Sequence, residues 1–183
     1  THAEITKGQR VLITGAGGGV AGFAILLCVN LGADVFVSSS SQKKLAHAIT
    51  MGAIDGVDYN QQDCYKTLAK KVGGFDVVID SAGGDTVNEL LGSLKPAGRY
   101  IFYGATRKNP STGLEMARLF FRHIRIQGTT MGSPPEFAAM LEFVSRHKIV
   151  PLIDRVMPLD KIIEAHKLLE NHSQQGKIVL MNQ

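Results

Sequence analysis

Short apolar runs alternate along most of the chain with longer segments whose apolar residues recur at helical spacing. Short runs bounded by turn residues are typical of strands buried on both faces, and the periodic segments indicate helices that cover the sheet. The most strand-like run covers residues 75–79. The pattern predicts strands over residues 10–14, 34–37, 56–58, 75–79, 99–103 and 124–129. It predicts helices over residues 20–32, 42–51, 63–72, 87–94, 115–121 and 134–147.

The regular alternation of strand and helix, joined by short connections, predicts an α/β fold with a doubly wound parallel six-stranded sheet. Ser133 and Glu136 flank two prolines in the pattern of a capping box, which predicts the start of the last helix of this unit. The tail differs, because an extended segment (151–156), a helix (160–169) and a strand (177–180) follow after six strands are complete. These elements either extend the sheet or belong with another part of the protein. We therefore divide the chain into residues 1–149 and a tail, 150–183.

The composition is that of a globular protein, with 44% hydrophobic and 20% charged residues among 183. The net charge of +4 is dispersed, so we expect neither a nucleic-acid nor a membrane partner. The longest apolar stretch, residues 20–29, is too short to span a bilayer and predicts a buried helix. No signal peptide is evident, and Cys28 and Cys64 lack neighbours at metal-ligand spacing, which favours a reduced, cytoplasmic protein without a metal site. The histidines are scattered, at His2, His47, His123, His147, His166 and His172.

A glycine-rich turn, residues 14–22, stands between the first predicted strand and the first helix. Glycines allow positive φ angles and close backbone approach to phosphate, and the N-terminus of the helix attracts an anion. Two spacings fit, Gly17-x-Gly19-x-x-Gly22 and Gly15-x-x-Gly18-x-x-Ala21. In this context the turn predicts a dinucleotide-binding Rossmann domain over residues 1–149. A purely structural tight turn is the alternative.

Other nucleotide-binding classes lack their required residues. The turn has no Gly-Lys-Ser/Thr, which excludes a nucleoside-triphosphate P-loop. A short-chain dehydrogenase requires a Tyr-x-x-x-Lys pair, and a methyltransferase on a similar sheet requires an acidic residue at the end of the second strand; neither is present. The residues four positions after the four tyrosines are Asp63, Ala69, Gly104 and Arg107.

The end of the second predicted strand carries four serines, residues 38–41, followed by Lys43 and Lys44. An acidic residue at this position binds the ribose hydroxyls of NAD(H) and repels a 2′-phosphate. Small hydroxyl donors beside a cation suit a phosphate instead, which favours NADP(H) over NAD(H) as the cofactor. The alternative is a serine-capped helix with lysines on the surface.

Several segments together resemble the medium-chain dehydrogenase/reductase superfamily, in particular its quinone oxidoreductase and zinc-type alcohol dehydrogenase-like branches. These segments cover residues 11–20, 31–33, 51–53, 75–84, 94–99 and 176–180 together with the serine turn. One departure is Ala21, where most members have glycine, and alanine is small enough for the same packing between helix and strand.

The resemblance implies cofactor contacts at strand ends. Gly18, Gly19 and Val20 would approach the pyrophosphate, with Gly15 as a further cofactor-binding residue of the same turn. Ser39, Ser40 and Lys44 would meet the 2′-phosphate, with Tyr59 stacking or hydrogen-bonding nearby. Ser81 and Ala82 would border the ribose, and Tyr103, Gly104, Ala105, Thr130 and Met131 would line the nicotinamide. Structural alternatives remain: Tyr59 as a half-buried strand residue, residues 130–132 as an ordinary turn, and Asp80 as a cap of the next helix.

The resemblance further implies a GroES-like catalytic domain ahead of the cofactor domain, holding the zinc ligands where there are any. Thr1 leads almost directly into a strand, so we expect this chain to be a fragment, inactive alone, whose tail packs on that domain. The intact protein would transfer hydride between NADPH and a carbonyl, alcohol or activated alkene, and we assign no catalytic residue here. A dinucleotide-binding sensor module and an enoyl reductase segment of a larger synthase are the alternatives.

Family members commonly dimerise through the sixth strand, and residues 124–129 would supply such an edge. Alternatively, Arg125 and Gln127 protect this edge from pairing.

Overall fold

The computed structural model describes residues 1–171 and 174–182. Its main sheet has six parallel strands in the order β3-β2-β1-β4-β5-β6. This order starts at the centre and winds outward in both directions, as expected of a doubly wound sheet, and the predicted fold class is confirmed. The strands are β1 (Arg10–Ile13), β2 (Asp34–Ser39), β3 (Asp55–Asp58), β4 (Phe75–Asp80), β5 (Leu94–Phe102) and β6 (Arg125–Gly128).

Six helices accompany this sheet, and their bounds lie within two residues of those predicted. They are α1 (Gly19–Asn30), α2 (Gln42–Thr50), α3 (Cys64–Val72), α4 (Val87–Ser93), α5 (Met116–Arg122) and α6 (Pro134–Arg146). The predicted capping box is present at α6, where the Ser133 hydroxyl accepts from the Glu136 amide and the Glu136 carboxylate accepts from the Ser133 amide.

Apolar cores lie on both faces of the sheet. Val11 and Ile13 point into one core with Ile25 of α1, while Leu12, between them in sequence, points into the other with Leu90 of α4. Each core also holds one cysteine, and burial raises the pKa of Cys28 to about 12 and that of Cys64 to about 11. Both thiols therefore stay protonated, as buried structural cysteines do.

The start of β5 differs from the prediction. The sequence around Pro96 and Gly98 predicts a turn with the strand beginning at residue 99, but β5 already begins at Leu94. Leu94 pairs with Phe75 of β4, and the register shifts before Arg99 pairs with Val77. The turn residues therefore form an irregularity within the strand, because a buried pairing partner distant in sequence holds Leu94 in the sheet.

The tail forms β7 (Ile153–Pro158), α7 (Ile162–Glu170) and β8 (Lys177–Met181). Strands β7 and β8 pair in parallel with each other and do not extend the main sheet. The tail also contacts the body, where the Gly176 amide donates to the Gly17 carbonyl at 3.3 Å. The division at residue 150 stays a prediction, and His172 lies outside the described residues. None of the helices in the described part of the chain has the length and hydropathy of a bilayer span.

Candidate functional site

A cleft of about 490 Å³ lies at the carboxyl ends of β1, β2 and β4, where the strand order reverses. This is the position at which doubly wound sheets bind their ligands. Many of the predicted cofactor-binding residues lie here together. The lining residues are Thr14, Gly15, Gly17, Gly18, Ser39, Ser40, Lys44, Tyr59, Tyr65, Asp80, Ser81, Ala82, Thr86, Thr106, Arg107 and Gln174.

The glycine turn brings the N-terminus of α1 to the cleft. Gly15 has a φ of +72°, which favours glycine, and its carbonyl accepts from the Gly18 amide at 2.9 Å. Gly18 is the N-cap of α1 and offers no side chain to the first turn, which contains no acidic residue. The amides of Gly19, Val20 and Ala21 have no acceptor within the helix. Together with the helix dipole, they form a site suited to an anion.

The structure distinguishes between the two glycine spacings. Ala21 is only 1% exposed and belongs to the core between α1 and the sheet. A Cβ atom added at Gly22 would meet nothing within 4 Å, so close packing does not require glycine there. The backbone therefore uses Gly15-x-x-Gly18-x-x-Ala21, and alanine fills the position where the helix meets the strand.

Asp80, at the end of β4, is fully buried and accepts hydrogen bonds from four groups. The Thr14 and Tyr100 hydroxyls each donate at 2.6 Å, the Gly83 amide at 2.8 Å and the Ala82 amide at 3.3 Å. Burial and the neighbouring Asp80 carboxylate raise the pKa of Tyr100, so the phenol stays protonated and donates. Asp80 thus connects three strand ends and shapes the floor of the cleft, rather than only capping the next helix.

The serine turn was predicted either to bind a phosphate or to cap a helix, and different residues of the turn are placed for each of these roles. The Ser41 hydroxyl caps α2 by accepting from the Lys44 amide at 3.4 Å. Ser39, Ser40 and Lys44 line the cleft, and the Tyr59 hydroxyl donates to the Ser40 hydroxyl at 3.1 Å. The described side chains lining this cleft include one carboxylate, Asp80, and its oxygens already accept from the donors named above.

Gly17 allows the Lys44 side chain to cross the turn. A Cβ atom at Gly17 would lie 2.2 Å from Lys44 Cδ and 3.0 Å from its Nζ. The lysine stem therefore packs directly over the glycine turn and carries its ammonium group to the cleft. This contact joins the predicted pyrophosphate and 2′-phosphate regions.

The residues predicted for the nicotinamide end lie apart from the main cleft. Tyr103, Gly104, Ala105 and Thr130 line an open depression of about 370 Å³ beyond the ends of β5 and β6. Met131 is 93% exposed and lines neither the cleft nor this depression. The contact of Met131 with the nicotinamide stays a prediction, as do the nicotinamide contacts of the other four residues.

Gly19 and Val20 also lie outside the lining of the main cleft. Gly19 borders a small pocket with Lys177, and a Cβ atom at Gly19 would lie 2.7 Å from Lys177 Cε. The Val20 side chain is about half exposed, so only the backbone amides of these two residues are suited to the predicted anion contact.

Several side chains at the cleft were not predicted from the sequence: Tyr65, Thr86, Thr106, Arg107 and Gln174, together with Lys177 in the adjoining small pocket. Arg107 lies on the loop after β5 and crosses to the far side of the cleft, where its guanidinium carbon is 5.0 Å from the centre of the Tyr59 ring. Gln174 comes from the tail, and its buried Oε1 atom has no hydrogen-bond partner in the described part of the chain. Only the positive charges of Arg107 and Lys177 were visible in the sequence, and charge alone does not indicate that a distant loop returns to the cleft.

This fold, with a glycine turn at the first strand–helix junction and a polar cleft at the strand ends, defines a dinucleotide-binding domain of the Rossmann class. Residues 19–146 match the family described as zinc-binding dehydrogenase, and the chain belongs to that family. The resemblance to the medium-chain dehydrogenase/reductase superfamily is thereby confirmed. Within residues 1–171 and 174–182, no group of three or more histidine, cysteine or acidic side chains is placed to hold a metal ion.

The chain is similar to proteins that are named as dehydrogenases or oxidoreductases. It is 39% identical to a zinc-type alcohol dehydrogenase-like protein from Leptosphaeria maculans, over 94% of this chain and 51% of that protein. A solved NAD-dependent alcohol dehydrogenase is 31% identical with a TM-score of 0.89, over 98% of this chain and 53% of that one. The quinone oxidoreductase from Thermus thermophilus, solved also in complex with NADPH, is 26% identical with a TM-score of 0.82, over 98% of this chain and 60% of that one. The chain thus spans about half the length of these relatives.

Proposed function

We propose that this chain is the NADP(H)-binding part of an oxidoreductase that transfers hydride between the nicotinamide and a carbonyl, alcohol or activated alkene substrate. The observation that carries this proposal is the single cleft shared by the glycine turn, Ser39, Ser40, Lys44 and Tyr59. The helix amides suit a pyrophosphate, and the hydroxyls and the lysine suit a 2′-phosphate. Among the relatives, one is an NAD-dependent enzyme and another was solved with NADPH, so the preference for NADP(H) rests on the residues of this cleft.

In this proposal the chain binds and orients the cofactor. When bound, the nicotinamide supplies the hydride chemistry, while the protein supplies position and electrostatics. The amides of Gly19 and Val20 approach the pyrophosphate beside the backbone of Gly15 and Gly18, and Ser81 and Ala82 border a ribose. The loops at Tyr103, Gly104, Ala105, Thr130 and Met131 hold the nicotinamide end.

Titration by isothermal calorimetry tests the cofactor assignment. We expect the chain to bind NADPH more tightly than NADH, and Lys44→Ala to weaken NADPH binding about tenfold while changing NADH binding little. The reason is that a hydrogen bond to a charged group contributes about 1.5–3 kcal/mol, and tenfold in affinity corresponds to about 1.4 kcal/mol. Lys43→Ala is the matched control, because Lys43 is exposed and does not line the cleft.

Two results would contradict this assignment. Equal affinity of the unaltered chain for NADPH and NADH would contradict the assignment of a 2′-phosphate site. Failure to bind either nucleotide at millimolar concentration would contradict the assignment of a dinucleotide site altogether.

We also propose that two copies of the chain pair through β6, the edge strand of the main sheet. Strand β6 pairs on one side with β5, and the preceding helix exposes Phe120 and Phe121. An uncovered strand edge is a template for pairing, and adjacent exposed aromatic rings are typical of an interface. Against this stands the ion pair of Arg125 with Glu4 at 2.6 Å, which places charge near the edge.

Light scattering coupled to gel filtration tests the dimer. We expect the mass of a dimer for the unaltered chain and of a monomer for Phe121→Asp, because the substitution places a charge where the proposed interface would cover an exposed aromatic ring. Val150→Asp is the matched control, since Val150 and Phe121 are both 76% exposed and Val150 lies at the start of the tail. A monomer at tens of micromolar for the unaltered chain would exclude the proposal.

A further inference from the structure

The loop that follows β5 turns back over the main cleft. The Arg107 amide donates to the Ala82 carbonyl at 2.8 Å, and the Gly84 amide donates to the Lys108 carbonyl at 3.0 Å. The loop after β5 is therefore fastened by backbone hydrogen bonds to the loop after β4. These backbone hydrogen bonds fix the position of the Arg107 Cα atom beside the cleft.

A pair of glycines makes this close approach possible. Gly83 and Gly84 have φ angles of +67° and +70°. A Cβ atom at Gly84 would lie 2.7 Å from Arg107 Cβ, and one at Gly83 would lie 3.0 Å from the Lys108 carbonyl oxygen. Side chains at these two positions would push the loop, and Arg107 with it, away from the cleft.

Arg107 ends beside the serine turn. Its guanidinium lies over the ring of Tyr59, whose hydroxyl donates to Ser40. Among the described residues, no salt bridge to an acidic side chain involves Arg107. The cleft therefore has a cation from α2, Lys44, and a cation from the loop after β5, Arg107.

We infer that Arg107 is a further specificity-determining residue, which binds the 2′-phosphate together with Lys44 while its stacking on Tyr59 covers the adenosine end of the cleft. This inference rests on the proposed function. A guanidinium binds phosphate through two parallel hydrogen bonds and stacks on aromatic rings, and a lysine cannot replace it in both respects. A single loop would then serve both ends of the cofactor, with Tyr103–Ala105 at the nicotinamide and Arg107 at the adenosine.

Two small probes isolate this contact in calorimetric titrations of the chain. Adenosine 2′,5′-bisphosphate contains the 2′-phosphate and 5′-AMP does not. We expect Arg107→Ala to weaken binding of the bisphosphate about tenfold and binding of 5′-AMP less than threefold, and Arg107→Lys to recover only part of the loss. Lys108→Ala is the matched control, because it removes a neighbouring positive charge from the same loop and keeps the Lys108 carbonyl that holds Gly84.

The outcomes separate this inference from the proposed function. If Lys44→Ala weakens bisphosphate binding and Arg107→Ala does not, the inference fails and the NADP(H) site stands. If Arg107→Ala weakens both probes equally, the side chain shapes the cleft without reading the 2′-phosphate, and the inference again fails. If the unaltered chain binds both probes equally or binds neither, both proposals are overturned.

Discussion

Replacement of Asp80 by alanine is expected to lower the free energy of unfolding by about 3 kcal/mol, a large share of the stability of a domain of this size. The carboxylate is fully buried and accepts from Thr14, Tyr100, Gly83 and Ala82. Its removal leaves two buried hydroxyls without their acceptor, and a buried polar group left unpaired costs about 1–3 kcal/mol, while the part-buried loop amides can bind water instead. Asp80→Asn keeps the shape but points an amide donor at some of these donors, so we expect a smaller loss of about 1–2 kcal/mol.

Urea unfolding followed by circular dichroism measures this effect, because the chain has no tryptophan. Asp160→Ala is the control for loss of a carboxylate, since Asp160 is exposed, and it is expected to change stability by less than about 0.5 kcal/mol. An Asp80→Ala protein with the same stability as the unaltered chain would show that the network does not stabilise the fold.

The second large effect is expected for Gly104→Ala, with a loss of about 2 kcal/mol and weaker NADPH binding. A Cβ atom at Gly104 would lie 2.5 Å from the Ser81 carbonyl oxygen, so the loops after β4 and β5 would have to separate. Overpacking of this kind costs about 1–3 kcal/mol. The loop after β4 borders the cleft, and the loop after β5 borders both the cleft and the adjacent depression, so their displacement would also move the predicted ribose and nicotinamide contacts.

Gly22→Ala is the matched control for this substitution. The added methyl group meets nothing within 4 Å, and alanine is the better helix former by about 0.5–1 kcal/mol. We therefore expect this variant to be at least as stable as the unaltered chain and to bind NADPH unchanged. Equal behaviour of the two variants in unfolding and in titration would contradict the role of Gly104.

Much of the fold is predictable because its signals are local. The run at residues 75–79 and the glycine turn before α1 indicate their elements through neighbours in sequence alone. The start of β5 is not predictable in this way. Leu94 belongs to the strand because it pairs with Phe75, a partner that local turn signals at Pro96 do not reveal.

The candidate site divides in the same manner. Residues at the end of the second strand, such as Ser39 and Ser40, were predictable because parallel strands bring their carboxyl ends to one edge, and the family resemblance implied Ser81. Arg107 and Gln174 were not, since each reaches the cleft through a loop or tail whose path depends on contacts with other loops. The importance of Asp80 was also underestimated, because two of its donors lie elsewhere in the sequence, Thr14 directly after β1 and Tyr100 in β5.

The sequence by itself determined the doubly wound fold, the position of the glycine turn and the absence of an acidic residue after the second strand. These features depend on residue type and spacing along one stretch of chain. Only the tertiary structure decided that the turn uses Gly15, Gly18 and Ala21, that Lys44 crosses Gly17, and that the loop with Arg107 closes over Tyr59. These contacts join segments far apart in sequence, and their distances are set by how the packed strands and loops meet.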